Sequence, residues 1–302
     1  MGANSAARQA IKRILFPRLG TRTYQHIQAL SKAWDIRSGS FSEPELDLIP
    51  AAVRAGETAL DLGANYGLYS YHLAKAVGAS GHVYAFEPVP FTSRTLEIVV
   101  RLLALRNVTI VPKGCSDRTH RVSFRVPLQI SGAASAGQAH MGDRNDDRPG
   151  REAQVRWMAT QQVWCDVVAL DHFLPDVRQL SLIKCDVEGA ELLAFRGAAR
   201  IIEQHRPSVI CEINPWLLEG FGLRLDELLS FFYSKGYCLY TYARHRATRL
   251  LNVSAAGEIV EDNYFFVHPG RSDRFTAFLR PSSYHTNQSR NPGGGRAFDD
   301  VS

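Results

Sequence analysis

Thr58-Ala59-Leu60-Asp61-Leu62-Gly63-Ala64-Asn65-Tyr66-Gly67-Leu68-Tyr69-Ser70 decides the fold of this 302-residue chain. A short apolar run stops near an acid, turns through spaced small residues and enters a segment in which Leu68, Tyr71, Leu73, Ala74 and Val77 recur at roughly helical spacing. Apolar residues bounded by glycine fit a buried parallel strand, so the stretch reads as strand, turn and helix start, the nucleotide-binding end of an α/β sheet. A ligand there would lie over the turn, against backbone N–H groups that Gly63 and Gly67 leave sterically open.

What the turn lacks narrows the ligand. A dinucleotide fingerprint beginning at Gly63 requires glycine again at 65 and 68, where the backbone approaches a pyrophosphate, and this chain has Asn65 and Leu68. Asp61 would repel phosphate, yet it suits a ligand with a sulfonium and an ammonium group, which is what S-adenosylmethionine (SAM) carries. His82-Val83-Tyr84-Ala85-Phe86-Glu87-Pro88 reads as a second strand, and Glu87 stands 24 residues after Gly63. That is near the spacing of about 20 at which a carboxylate accepts ribose hydroxyls.

Downstream, strands and helices alternate. Pro90 to Arg106 is expected to be a helix and Val108–Val111 a third strand, followed by Ser116-Asp117, a polar pair able to bond an adenine amino group. Leu180–Asp186 is a fourth buried strand, running through Val187-Glu188-Gly189-Ala190-Glu191 into a single helix carrying Leu192, Phe195 and Ile202. Pro207–Ile213 is a fifth, a helix from about 225 to 235 follows, and Asn263–Val267 is the last strand. Alternation of this kind implies a mostly parallel sheet with helices on both faces. Residues 128–160, small and polar, are expected to form a long loop, either a lid or a disordered insertion, and 281–302 a disordered tail. Residues 1–50 read as a basic helical arm, with Ser42 as the N-cap of a short helix toward Val53, and 51–270 as the ligand-binding domain.

In open α/β sheets ligands sit beyond the carboxyl ends of the strands, here between the first strand and the fourth. Asp61, Glu87, Asp186 and Glu212 all end strands at that rim. Methyl transfer needs in-line delivery of a nucleophile, and an alcohol nucleophile needs a base most, so Asp186, Glu188 and Glu212 are the catalytic candidates. Glu188 and Glu191 also read as first-turn helix acids favoured by the dipole. No metal-ligand cluster is evident, although Asp186 at a strand end leaves a Mg²⁺-assisted variant open.

Together Asp61–Ser70, Ala85-Phe-Glu-Pro88, Leu170-Asp171, Ile183-Lys-Cys-Asp-Val-Glu-Gly-Ala-Glu191 and Arg206–Ile213 resemble the FkbM family of SAM-dependent methyltransferases, over roughly residues 56 to 240. The resemblance implies a class I methyltransferase (Rossmann-like) fold, seven strands with the last antiparallel, and O-methylation of a hydroxyl on a small metabolite or sugar. By that similarity Asp61, Gly63, Ala64, Asn65, Gly67 and Glu87 bind SAM, with Ser116 and Asp117 near adenine. The alternatives are an N-methyltransferase of RNA or protein and a non-catalytic SAM-binding protein. The former lacks the amino-cradling D/N-P-P-Y/F loop after the fourth strand, where Asp186-Val187-Glu188 stands instead.

Composition is that of an ordinary globule, 45% hydrophobic and 22% charged with a net charge of +5. The arginines are dispersed, densest at the N-terminus, around 144 to 156 and near 244 to 249, which argues for no specific nucleic acid; the acceptor is expected to be a small molecule or glycan. Five separated cysteines without a C-x-x-C fit free thiols in the cytoplasm better than zinc or disulfides. No apolar run is long enough to span a membrane. Peripheral membrane contact through the basic arm is the sharper reading of residues 1–40, and a helix packed on the domain edge the blander one.

Overall fold

Thr58–Leu62 forms β1 at the heart of an eight-stranded sheet, seen in a computed structural model that describes residues 20–128, 138–145, 159–245, 247–252, 259 and 262–279. In chain order the other strands are β2 (His82–Phe86), β3 (Val108–Val111), β4 (Gly114–Cys115), β5 (His120–Leu128), β6 (His140–Met141), β7 (Ala159–Val168), β8 (Leu180–Cys185), β9 (Ser208–Ile213), β10 (Cys238–His245), β11 (Ala247–Asn252) and β12 (Asp262–Val267). The main sheet runs β11-β10-β12-β9-β8-β1-β2-β3. Strands β3, β2, β1, β8 and β9 are mutually parallel, and β12 lies antiparallel between β9 and β10. This is the class I arrangement expected, with one strand more than the seven implied: β11 pairs antiparallel onto the edge of β10.

Alternation along β1 sorts its side chains between two cores. Leu60 and Leu62 enter a cluster with Phe86, Leu192, Phe195, Ile201 and Phe232. Ala59 faces the other way, among Leu73, Val83, Leu96 and Phe265. The second face is covered by α1 (Thr21–Ser38), α2 (Ile49–Ala52), α3 (Leu68–Val77), α4 (Pro90–Leu102) and a 3₁₀ turn at Pro269–Phe275. Helices α5 (Leu170–Phe173), α6 (Glu191–Arg196), α7 (Ala199–His205), α8 (Pro215–Gly220) and α9 (Leu225–Tyr233) belong to the first face.

Local expectations are corrected in four places. The helix expected through Leu192 to Ile202 is two, α6 and α7, broken where a side chain on Gly197 would begin 2.0 Å from the Ser116 carbonyl oxygen. The helix expected to reach Arg106 ends at Leu102, because Ala104 turns into left-handed backbone (φ 54°). Ser42 is not a cap: the segment Pro44–Leu48 is 3₁₀, with Glu43 at its N-cap position. Part of the expected 128–160 loop is strand. β6 pairs with β5, β5 pairs with β7, and β4 runs parallel to β7, giving a second, four-stranded sheet. Residues 129–137 and 146–158 of that segment, and the expected tail, lie outside the described residues.

Candidate active site

The turn after β1 is built by two close approaches. Gly63 sits at φ +81°, and a Cβ there would fall 1.8 Å from the Asp186 carbonyl oxygen, so the ends of β1 and β8 meet at a point only glycine can occupy. The amides of Gly63 and Ala64 donate to the Phe86 carbonyl at 3.0 and 2.9 Å, joining the turn to β2. Asn65 takes left-handed backbone (φ 48°), and its amide donates to Glu87 Oε2 at 3.0 Å. The Val89 amide donates to Glu87 Oε1 at 3.0 Å. Both Glu87 oxygens are thus oriented by backbone, and each keeps a lone pair for a hydroxyl of a bound ligand.

A cleft of about 610 Å³, counting its open mouth, lies over this turn. Gly63, Asn65, Glu87, Asp186 and Glu188 contribute polar wall, and Val89, Cys115, Phe124 and Met141 apolar wall. Phe124 and Met141 come from the second sheet, which roofs the cleft and supplies the flat apolar surface that a purine requires. Asn65 Oδ1 is buried with no hydrogen-bond partner among the described residues, an acceptor left for a ligand's donor. Those features fit SAM: hydroxyl acceptors for its ribose, an apolar wall for its adenine and acids for its two cationic groups.

The rim acids are not equivalent. Asp61 is buried and accepts from Ser70 Oγ at 2.5 Å, beneath the turn instead of on the cleft wall, and burial lifts its pKa to about 6. Burial lifts Glu87 to about 7 against the pull of its two backbone donors. Glu212, also off the cleft wall, is pushed up to about 10, first by the negative charge of Asp186 and then by burial. Glu212 is hydrogen-bonded to Asp186, so near neutral pH Glu212 keeps its proton beside that carboxyl group.

Lys184, fully within the sheet on β8, supplies the counter-charge. Its Nζ donates to Asn263 Oδ1 at 2.8 Å, lies 3.6 Å from Asp186 Oδ2 and stands 4.8 Å above the Tyr69 ring. Burial alone would lower its pKa, but Asp186, Glu212 and Glu43 outweigh that and hold it charged. Tyr69 in turn donates to Glu43 Oε2 at 2.6 Å. Glu43, Lys184, Tyr69 and Asn263 were not singled out from sequence; a lysine inside an otherwise apolar strand was the available signal.

Glu188 faces the cleft from a left-handed turn (φ 57°) outside α6, not from a helix first turn. Arg144, buried, reaches it from the loop after β6, donating to its carbonyl oxygen at 2.8 Å and standing 3.9 Å from Oε2. The 138–145 segment therefore touches the site. Glu191 does cap its own turn, accepting from the Val187 and Gly189 amides at 3.2 and 3.0 Å. Gly67 caps α3 at φ +88° beside Leu96 and is not on the cleft wall. Ser116 and Asp117 are bonded to each other at 3.2 Å; Ser116 is buried, Asp117 is exposed, and the cleft is lined by Gly114 and Cys115 before them.

The profile of the family described as Methyltransferase FkbM domain matches residues 61–239. A curated relative, Methyltransferase 1 of Beauveria bassiana, is 28% identical over 146 residues, covering 46% of this chain and 57% of the relative. Among solved structures, Methyltransferase FkbM from Methylobacillus flagellatus is 18% identical, with a TM-score of 0.42 over 80% of this chain and 54% of that one. A SAM-dependent O-methyltransferase from Thermotoga maritima is 14% identical, with a TM-score of 0.38 over 78% of this chain and 69% of that one. The chain spans little more than half the length of the curated relative and of the Methylobacillus protein. The family match covers more than half of this chain and contains the turn, Glu87, Asp186 and Glu188; the chain belongs to the FkbM methyltransferase family.

Proposed function

We propose that this methyltransferase uses SAM to methylate a hydroxyl of a small metabolite or glycan. The observation that carries the reading is the pair of carboxylates, Asp186 and Glu188, facing the same cleft as Glu87 and the Asn65 acceptor. SAM, when bound, supplies an electrophilic methyl group. Glu87 and Asn65 Oδ1 would accept its hydroxyl and amino hydrogens, and the acids on the cleft wall would offset its positive charge. A hydroxyl becomes acidic only as its oxygen gains a methyl, so a carboxylate on the cleft wall takes the proton at that moment. We assign that role to Glu188, whose backbone is held in a strained turn and whose carboxylate is steadied by Arg144. Glu212, holding its proton behind the cleft wall, adds no second negative charge next to Asp186, which Lys184 faces at 3.6 Å.

An acidic cleft disfavours a polyphosphate acceptor such as RNA. The buried free thiols, including Cys185 opposite Cys211 in the β8–β9 register, are in keeping with a reducing compartment such as the cytoplasm. The test is incubation with methyl-labelled SAM and an extract of the source organism, with labelled products identified by mass spectrometry. Label on the hydroxyl of a small molecule or glycan is expected. Label confined to RNA or protein would overturn the reading.

A further inference from the structure

Helix α1 carries apolar residues on both sides. Tyr24, Ala29, Ala33 and Ile36 are buried against the domain, whereas Ile27, Leu30 and Trp34 are 41%, 57% and 71% exposed. Their spacing of i, i+3 and i+7 puts them on one outward stripe, opposite the buried face. They are three of the seven exposed large hydrophobics among the described residues, so the clustering is not the usual scatter of single surface apolars.

Charge says what covers the stripe. Residues 1–40 contain seven Lys and Arg and a single acid, a net of +6, against +5 for the whole chain, so residues 41–302 together are at −1. The one acid, Asp35, is buried, while Arg22 and Arg37 at the two ends of α1 are exposed. All of the chain's net positive charge therefore lies in and before the helix that shows the apolar stripe. A second copy of the chain would bring like charge to like charge, and three side chains fall far short of the roughly 20 to 30 residues per side of a stable dimer. A tryptophan and two aliphatic side chains, flanked along the helix by the exposed Arg22 and Arg37, match an anionic lipid surface, which attracts nearby cations and where the indole prefers the headgroup level.

We infer that the outward face of α1, with Ile27, Leu30 and Trp34 at its centre, docks on an anionic membrane surface. The same helix touches the cofactor turn: Gln28 Nε2 donates to the Tyr66 hydroxyl at 2.7 Å, and Lys32 Nζ stands 5.1 Å above the Tyr66 ring. Docking therefore holds the Asn65–Gly67 turn about one helix diameter, roughly 10 Å, from the lipid, and, if the hydroxyl-methylating reading holds, directs the enzyme to an acceptor held at a membrane. The docking itself does not depend on that reading.

The test is co-flotation of the full chain with vesicles of phosphatidylcholine alone or with about 30% phosphatidylserine, at about 0.1 M salt. Binding to the anionic vesicles only is expected, falling at least about tenfold in the double variant Leu30→Ser/Trp34→Ser, because each lost apolar contact removes area from the interface. The variant's melting temperature and SAM affinity should match the parent's, since both side chains point to solvent. No binding to anionic vesicles, equal binding to neutral ones, or unchanged binding by the variant would each overturn the inference. So would a dimer in solution that the double variant dissociates, which would give the stripe to a second copy.

Discussion

Glu87, Asp61 and Glu212 are acids whose burial or neighbours raise their pKa values to about 7, 6 and 10. Each binds a proton more tightly folded than unfolded, so its contribution to stability is full below about pH 4.5 and is lost as pH rises through the folded value. Glu57 has the opposite sign. Burial works to raise its pKa, but the Arg274 fork, at 2.7 and 2.9 Å, outweighs burial and lowers it, so its contribution is lost as pH falls. The ligand-free protein should therefore melt highest near about pH 5 and progressively lower toward pH 9, as scanning fluorimetry would show. SAM binding prefers ionised Glu87, whose ionised fraction rises about tenfold between pH 6 and pH 8 with a pKa of about 7, and calorimetry should find a similar gain in affinity. The Glu188→Gln variant should lose at least about a hundredfold in kcat with SAM affinity nearly unchanged, the signature of a lost base; an unaltered kcat would remove Glu188 from the chemistry.

At the level of elements, the contact of Gly63 with the Asp186 carbonyl is the joint on which the cleft turns. Gly63→Ala should cost roughly 3 to 5 kcal/mol in urea denaturation, overpacking and left-handed strain acting together, and should abolish SAM binding. That joint was legible in sequence because an apolar run, an acid and spaced glycines encode it locally, and the same holds for β2, β8 and β9. The pairing of the second sheet was not. Its strands β4 and β6 are two residues each, and β5 finds β7 across a segment with no periodic pattern, so nothing local announces the pairing. Phe124, Met141 and Arg144 were missed as site residues for that reason. Glu212 was legible as a rim acid, but its protonation follows from the proximity of Asp186, which only the β8–β9 pairing creates.

Across the whole molecule, the 3₁₀ turn at Pro269–Phe275 fastens the end of the sheet remote from the cleft. Arg271 donates to the carbonyls of Arg206, Leu180 and His205 at 2.7 to 3.0 Å, and Arg274 grips Glu57 and the Ala52 carbonyl. Arg271→Ala should lower stability by about 2 to 3 kcal/mol in chemical denaturation, leaving SAM affinity in the folded protein unchanged because the cleft is about a strand's length, roughly 20 Å, away. The insertion of β12 between β9 and β10 sets a limit of another kind. Lys184, deep in β8, receives its amide partner Asn263 only from that strand, 79 residues later. While the chain is still emerging from the ribosome, the central strands carry a lysine that has its acidic neighbours but lacks this hydrogen bond, which disfavours closing the sheet around it. Protease resistance of stalled nascent chains should thus be absent until β12 is made and arise in a single step once that strand clears the exit tunnel, so the sheet closes only after its last strand in the sequence is in hand.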